Sequence, residues 1–399
     1  MTSLTETARK EQQYLVQTYD RYPVVLESGD GCYVTDTSGK RYLDAITGIG
    51  VHALGHRHPR ILKALTDQAS ALVHTSNLFY HRYQGELAEH LCGISGMDRV
   101  FFSSTGTEAM ETTLKAVRAY ARATDPKKTR LVALRRAFHG RTIGALAVTG
   151  EPAYQAPFQP LTPDVTFVEP GDSAELARAV GAETAAIVLE PVLGEGGIIP
   201  LEDDFLRSAR ELATRAGALL IADEIQCGLG RTGRHFAYQW AFDDGHVRPD
   251  IVVVAKPLAA GLPLAATLFT DNVAKALPVG THGTTFGGGP LACRVAIEFL
   301  TLVDDLLPNV RELGAYLLDA LRCLARKHAI VTEVRGKGLM IGLQLSVPGR
   351  PIVERALECG LLVNATHHSV IRLLPPFTLS RQQADDIVHL LDKAFTPLP

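Results

Sequence analysis

The sequence predicts an α/β protein with a large domain built on a mostly parallel central sheet, and a smaller α+β domain. The middle of the chain alternates short apolar runs with longer helical patterns, which is typical of βα units around a buried parallel sheet. Strands buried on both faces are apolar at consecutive positions, and four runs meet that description: 130–134, 185–190, 218–224 and 250–256.

The remaining elements place this sheet in the middle of the chain. Apolar residues at Met110, Leu114, Val117 and Ala121 recur with helical spacing, so we expect a helix over 107–123. A second helical pattern begins near residue 291, and strand-like pieces with a final helix follow it. We therefore expect a large domain at 48–290 and a small domain at 291–399, to which an N-terminal segment, 1–47, contributes.

Composition excludes several classes of protein. The 399 residues carry 40 Lys and Arg against 43 Asp and Glu, a net charge of −3, which gives no field to attract nucleic acid or an anionic membrane. The longest apolar runs are too short to cross a bilayer, and the N-terminal residues have no apolar signal region, so we expect a cytoplasmic location. The six cysteines form no CxxC pair and are expected to be reduced.

Polar or charged residues follow each of the four apolar runs. Open α/β sheets bind ligands beyond the carboxyl ends of their strands, so the site is expected near Arg135, Glu190, Asp223 and Lys256. A carboxylate at the end of an apolar strand needs a cationic or donor partner, and an amine there can be a Schiff-base nucleophile. Taken singly, Asp223 would more often form a cap or structural ion pair, and Lys256 would usually be a solvated strand end.

A third feature opens the predicted helix. Residues 103–107, SSTGT, offer hydroxyls, unpaired N–H groups and the positive end of a helix dipole, all of which suit a phosphate, although such a sequence is more often a plain helix cap. Together with Asp223 and Lys256 they match the phosphate, ring nitrogen and aldehyde of pyridoxal 5'-phosphate.

Seven ordered motifs extend this match over most of the chain. The sequence resembles the class III, ornithine-type aminotransferases, which are pyridoxal phosphate-dependent enzymes of fold type I. The motifs are GHRHP (55–59), FFSSTGTEA (101–109), FHGRT (138–142), EPVLGEGG (190–197), ADEIQCGLGRTG (222–233), AKPLAAGLP (255–263) and GTTFGGGP (283–290).

The resemblance implies a role for each matching residue at the cofactor. Lys256 would bind the cofactor covalently and later move the substrate proton, and Asp223 would keep the ring nitrogen protonated. The other implied cofactor contacts are Gly106 and Thr107 at the phosphate, Phe138 and Ile225 on the ring faces, Gln226 at the phenolic oxygen with Glu224 beside it, and Thr285 from the neighbouring subunit of a homodimer.

The resemblance also implies how two substrates share one pocket. Arg141, with Thr284 beside it, would hold the distal substrate carboxylate, and a Glu195–Arg372 salt bridge would open for glutamate and close for the ω-amino substrate. The closest members transfer the 5-amino group of N2-acetylornithine to 2-oxoglutarate, giving N-acetylglutamate 5-semialdehyde and glutamate. The alternatives are an enzyme for 4-aminobutyrate, succinylornithine, ornithine or an acetyl-lysine type of substrate, and a non-catalytic binding protein.

Some residues depart from the family pattern or suggest other chemistry. Leu193 and Gly289 replace a usual Gln and Asn, and Ile49 stands where ornithine enzymes commonly carry Tyr. The sequence GLGRTG (228–233) fits a dinucleotide pattern but does not turn directly from its strand, which argues against a nicotinamide site. No metal is expected at the histidines of HALGHRHP (52–59), because no carboxylate or cysteine is near them in the sequence.

Overall fold

The computed structural model describes residues 4–162, 164–242 and 248–396. Within these ranges, no helix combines the length and apolarity that a membrane crossing requires. The helices are α1 Leu4–Tyr14, α2 Thr47–Gly50, α3 Pro59–Ala71, α4 Arg82–Ser95, α5 Gly106–Thr124, α6 Ile143–Val148, α7 Pro152–Gln155, α8 Ser173–Ala179, α9 Asp203–Ala216, α10 Asp271–Ala274, α11 Pro290–Ala325, α12 Arg350–Glu358 and α13 Arg381–Phe395, with 3₁₀ turns at Ala156–Phe158 and Ala237–Trp240.

The strands fall into one large sheet and several small ones. They are β1 Leu26–Asp30, β2 Tyr33–Asp36, β3 Arg41–Asp44, β4 Arg99–Ser103, β5 Arg130–Leu134, β6 Val165–Val168, β7 Thr184–Leu189, β8 Val192–Leu193, β9 Ile199–Pro200, β10 Leu219–Asp223, β11 Ile251–Val254, β12 Ala265–Phe269, β13 Val331–Lys337, β14 Met340–Leu345, β15 Leu361–Leu362, β16 Asn364–Thr366 and β17 Val370–Leu373. The four predicted strands are β5, β7, β10 and β11, and α5 is the predicted helix.

The central sheet has seven strands in the order β4-β12-β11-β10-β7-β5-β6. Strand β12 pairs antiparallel with both of its neighbours, and the other pairs in the sheet are parallel. The carboxyl ends of β4, β5, β7, β10 and β11 therefore meet at one edge of the sheet.

Both faces of this sheet are buried, which explains the continuous apolar runs in the sequence. Alternate residues of β5 point into different cores: Leu131 and Ala133 pack with α5, whereas Val132 and Leu134 belong to the core that includes α9 and α11. Side chains alternate between the faces of a strand, so a two-sided sheet needs an apolar residue at every position.

The N-terminal strands join the C-terminal part of the chain. Strand β3 pairs in parallel with β15, and β1, β2, β3 and β15 form one sheet. A second four-stranded sheet, β13-β14-β17-β16, packs beside the 36-residue helix α11. The domain boundaries at 47 and 290 remain predictions.

The GLGRTG segment connects the large sheet to the C-terminal part of the chain. Arg231 is buried, and its guanidinium donates to the carbonyls of Leu339 (3.1 Å) and Pro375 (2.5 Å) and lies 4.6 Å from the centre of the Phe377 ring. Burial lowers the pKa of Arg231 to about 9. Arg231 is thus taken up by packing contacts with the C-terminal part of the chain.

Candidate active site

A cavity of about 400 Å³ lies at the carboxyl edge of the central sheet. Its wall is formed by loops that follow β4, β5, β7, β10 and β11, where open α/β sheets place their ligands. The predicted site residues that line it are Gly106, Thr107, Phe138, Arg141, Glu195, Asp223, Ile225, Gln226 and Lys256.

Asp223, the last residue of β10, is buried and paired with a histidine. His139 donates from Nδ1 to Asp223 Oδ2 (2.7 Å), and the N–H of Ile225 donates to Oδ1 (3.0 Å). Burial opposes charging of the imidazole, but the hydrogen bond and charge of Asp223 outweigh burial and raise the pKa of His139 above its usual value. His139 lies within the FHGRT motif, yet sequence reasoning assigned it no role.

Lys256 follows β11 by two residues and reaches the same cavity. Burial lowers the pKa of its amine, and nearby Arg372 acts in the same direction, while Glu195 and Asp223 partly oppose them. A lowered pKa increases the fraction of neutral amine, the form that reacts with an aldehyde or accepts a proton.

The predicted phosphate cradle is the first turn of α5. Thr105 and Glu108 form a capping box that occupies the N–H groups of Ser104, Thr105 and Glu108. The next donors, the N–H groups of Gly106 and Thr107, have no acceptor within a helix of this kind. A Cβ at Gly106 would approach Ile225 Cδ1 to 2.9 Å, so glycine keeps this turn close to the cavity wall.

Glu190 also lines the cavity, directly after β7. Its two carboxylate oxygens accept from the N–H groups of Phe138 and Gly194, each at 2.9 Å. Burial raises the pKa of Glu190 to about 7, against the charge of His139 and these two hydrogen bonds. Glu190 therefore joins the loop that carries Phe138 to the loop that carries Glu195.

Glu195 and Arg372 form an ion pair at the cavity wall. Arg372 Nη1 lies 2.5 Å from Glu195 Oε1 and 3.2 Å from Gln226 Oε1, and its Nε donates to Asn364. Burial would raise the pKa of Glu195, but Arg372 outweighs burial and lowers it. Within the described ranges, the buried Nη2 of Arg372 has no hydrogen-bond partner. The guanidinium is thus neutralised yet keeps one donor group free.

Arg141 is exposed at another part of the cavity. Its guanidinium lies 3.8 Å from the centre of the Tyr154 ring and 5.4 Å from that of Phe138. The contact with Tyr154 covers one face of the planar group and leaves its edge for a carboxylate.

Some predicted residues lie elsewhere. Glu224 turns away from the cavity, because its carboxylate accepts from the N–H groups of Ala237 (2.9 Å) and Tyr238 (2.7 Å); burial raises its pKa to about 7. Thr284 and Thr285 do not line the cavity of this chain. Arg135, which was expected near the site, pairs with Glu175 and does not line the cavity.

The histidines of HALGHRHP have a carboxylate neighbour after all. His56 Nε2 lies 2.9 Å from Asp44 Oδ2, a residue that the fold brings next to it. In the part of the chain that the structure describes, no group of three or more His, Cys, Asp or Glu residues is arranged to hold a metal ion.

The donor set of this cavity fits pyridoxal phosphate. An amine with a lowered pKa, a buried carboxylate and the free N–H groups of a helix N-terminus all face one space. These are the groups that the aldehyde, ring nitrogen and phosphate of the cofactor require.

Comparison with known proteins identifies the family. The model of the class III aminotransferases matches residues 14–395, and the chain belongs to this family of pyridoxal phosphate-dependent enzymes. Acetylornithine aminotransferase of Methanocaldococcus jannaschii is 43% identical over 391 residues, with 97% of each chain covered. The enzyme of that name from Mycobacterium leprae is 42% identical over 396 residues, with 97% of this chain and 95% of that protein covered.

Solved structures share the fold closely. Ornithine aminotransferase from Toxoplasma gondii has a TM-score of 0.93 at 33% identity, covering 99% of this chain and 95% of that one. Acetylornithine aminotransferase from Elizabethkingia anophelis has a TM-score of 0.87 at 30% identity and covers 99% of both chains. The predicted fold type, the aminotransferase activity and the cofactor are confirmed.

Proposed function

We propose that this aminotransferase moves the 5-amino group of N2-acetylornithine to 2-oxoglutarate. The observation that carries the proposal is an exposed arginine in the cavity, Arg141, and a buried arginine behind the cavity wall, Arg372, which is neutralised by the cavity residue Glu195. An amine at the end of a chain brings apolar carbon close to the reacting centre, whereas glutamate brings a carboxylate. One fixed arginine and one that can be masked accommodate both.

The chemistry divides between the cofactor and the protein. Bound pyridoxal phosphate supplies an electron-withdrawing ring that stabilises charge on the reacting carbon. Lys256 would hold the cofactor and, once released, its Nζ would take the proton from the amine-bearing carbon. Asp223, held by His139, would present a charged oxygen to the ring nitrogen.

Other residues would hold the cofactor in place. Gly106 and Thr107 would bind the phosphate, Phe138 and Ile225 would enclose the ring, and Gln226 would reach its phenolic oxygen.

The choice of substrate rests on the relatives and on one position. Acetylornithine aminotransferases at 40–43% identity match nearly the whole chain. Ile49, where ornithine enzymes commonly carry Tyr, lies two residues from the cavity residue Val51, which argues against free ornithine.

A cytoplasmic location stays a prediction. The six cysteines all lie in the described ranges and are free thiols there.

A homodimer with shared sites would bring in Thr284 and Thr285. Asn77 Nδ2 donates to the carbonyls of Thr284 (3.2 Å) and Gly287 (3.1 Å), which joins segment 72–80 to the loop 283–289. This surface exposes large apolar side chains, among them Leu78 (87%), Phe79 (67%), Tyr80 (108%) and Phe286 (69%). Apolar area of this kind is buried in stable interfaces, and we assign it to a second copy of this chain.

Steady-state assays with 2-oxoglutarate test the substrate. Acetylornithine, ornithine, succinylornithine and 4-aminobutyrate are compared by kcat/KM. We expect acetylornithine to exceed ornithine and 4-aminobutyrate by at least about tenfold, since the pocket distinguishes substrates by charge and length. A preference for another amine would contradict the substrate, and no turnover with any amine would favour a non-catalytic binding protein.

Removing the charge of Glu195 tests the masking of Arg372. In Glu195→Gln we expect kcat/KM for the acetylornithine half-reaction to fall about tenfold more than that for glutamate, because an unmasked cation then faces the ω-amine substrate. Each half-reaction is followed separately by the cofactor absorbance. The control is Glu333→Gln, which breaks an ion pair with Arg335 outside the cavity. Equal losses in the two half-reactions would contradict the switch.

Sedimentation measures the assembly. We expect the wild type to have the mass of two chains and Phe79→Asp to shift towards one chain, because a buried charge at an apolar interface is costly. Affinity for pyridoxal phosphate should fall with dissociation, since Thr285 would be lost from the site. Val347→Asp, on another part of the surface, is the control. A monomeric wild type would overturn the shared site.

A further inference from the structure

A chain of side-chain hydrogen bonds connects the first turn of α5 to the backbone around Arg141. Thr107 Oγ1 accepts from the N–H groups of Arg141 and Thr142, both at 3.2 Å. Thr107 Oγ1 also lies 3.0 Å from Thr142 Oγ1, and Thr142 Oγ1 lies 2.5 Å from Glu111 Oε1. Glu111 stands one turn further along the same helix, so α5 holds this loop at two points.

The donors in this chain can be assigned by counting hydrogens. A carboxylate only accepts, so the Thr142 hydroxyl donates to Glu111. Thr142 has no second hydrogen, and the Thr107 hydroxyl therefore donates to Thr142. The Thr107 hydroxyl then donates its one hydrogen to Thr142 and accepts hydrogen bonds from two backbone N–H groups. It has no further hydrogen to donate to a phosphate. Thr107 would serve the phosphate through its backbone N–H alone.

Glu111 also holds the residues that follow Arg141. Its Oε1 accepts from the N–H groups of Gly144 (3.0 Å) and Ala145 (3.1 Å), in the first turn of α6. The segment that carries Arg141 is thus fixed to α5 at residues 141, 142, 144 and 145. Three of these contacts converge on one carboxylate oxygen.

Two glycines make the approach close enough for these bonds. Gly140 has a φ of +139°, and a Cβ there would lie 2.4 Å from Thr107 Oγ1. A Cβ at Gly144 would lie 2.5 Å from Glu111 Oε2. The loop on both sides of Arg141 therefore packs against the polar side chains of α5 without an intervening side chain.

We propose that Glu111 and Thr142 are positioning residues that set the distance between Arg141 and the phosphate cradle. This inference rests on the proposed function, in which Arg141 binds the distal carboxylate. Because the cradle and Arg141 are held by the same helix, the span between the cofactor and the carboxylate is fixed. This fixed span selects substrate amines by the length of the chain between their amino and carboxylate groups.

Single-turnover kinetics test the device. In Glu111→Ala we expect the Kd of acetylornithine to rise about tenfold while the limiting rate changes by less than about twofold, because the loss concerns substrate placement. Affinity for pyridoxal phosphate, measured by direct titration, should stay within about twofold, since the N–H groups of the cradle remain. Glu111→Gln keeps an oxygen acceptor and should restore most of the affinity. Glu89→Ala, an exposed carboxylate on α4, is the control.

A double-mutant cycle separates this inference from the proposed function. Glu111→Ala should cause less than about a twofold further loss of affinity in an Arg141→Ala background, since the two residues act through one contact. If Arg141→Ala alone leaves substrate affinity unchanged, the proposed function fails. If Arg141→Ala weakens binding and Glu111→Ala does not, or if Glu111→Ala weakens the cofactor tenfold, the positioning role is overturned. Thr142→Val, which loses only the hydroxyl, gives the same test should Glu111→Ala fail to fold.

Discussion

The site depends on the cost of burying charge at the carboxyl edge of the central sheet. Asp223 and Arg372 are withdrawn from water, with 2% and 0% of their surfaces exposed, and an isolated charge there would be strongly unfavourable. Each has a partner: Asp223 pairs with His139 and Arg372 with Glu195. Among the residues that the structure describes, Lys256 has no such partner, and burial lowers the pKa of its amine. A larger neutral, reactive fraction of this amine follows from leaving it unpaired while its neighbours are paired.

The same constraint would let two substrates use one cavity, as the proposed function requires. With an apolar substrate chain beside it, the Glu195–Arg372 pair would stay closed, because each charge keeps its partner. A substrate carboxylate would replace Glu195 at the guanidinium, since the exchange conserves the charge balance. Gln226, which contacts both partners, connects this exchange to the strand end that carries Asp223.

The strands and the principal residues of the site could be predicted because their causes are local. Four apolar runs predict a sheet that is buried on both faces. The polar residue at the end of each run indicates the carboxyl edge of the sheet, where ligands bind. Arg135 ends a run too, but its loop turns it towards Glu175, and the periodicity of the strand contains no information on that turn. His139 was missed for a related reason: its partner Asp223 is 84 residues away in the sequence. Glu224 is adjacent to Asp223 but follows the end of β10, and its carboxylate accepts from the N–H groups of Ala237 and Tyr238 outside the cavity.

The contacts between loops could not be predicted, because they form only where the fold brings together segments that are far apart in the sequence. Glu111 looks like any polar residue of a helix until Gly140 and Gly144 bring the Arg141 loop against it. Thr284 and Thr285 lie outside the cavity of their own chain, and the contribution of Thr285 to a partner's site stays a prediction from the resemblance.

The attachment of the cofactor tests the account most directly. Purified protein is reduced with borohydride in the presence of pyridoxal phosphate, digested, and examined by mass spectrometry for a phosphopyridoxyl group. We expect that group on Lys256 and its absence from the corresponding peptide of Lys256→Ala, because among the lysines of the described ranges only Lys256 lines the cavity. Specific labelling of a different lysine, or no labelling of the wild type, would contradict the assignment of this cavity as the active site.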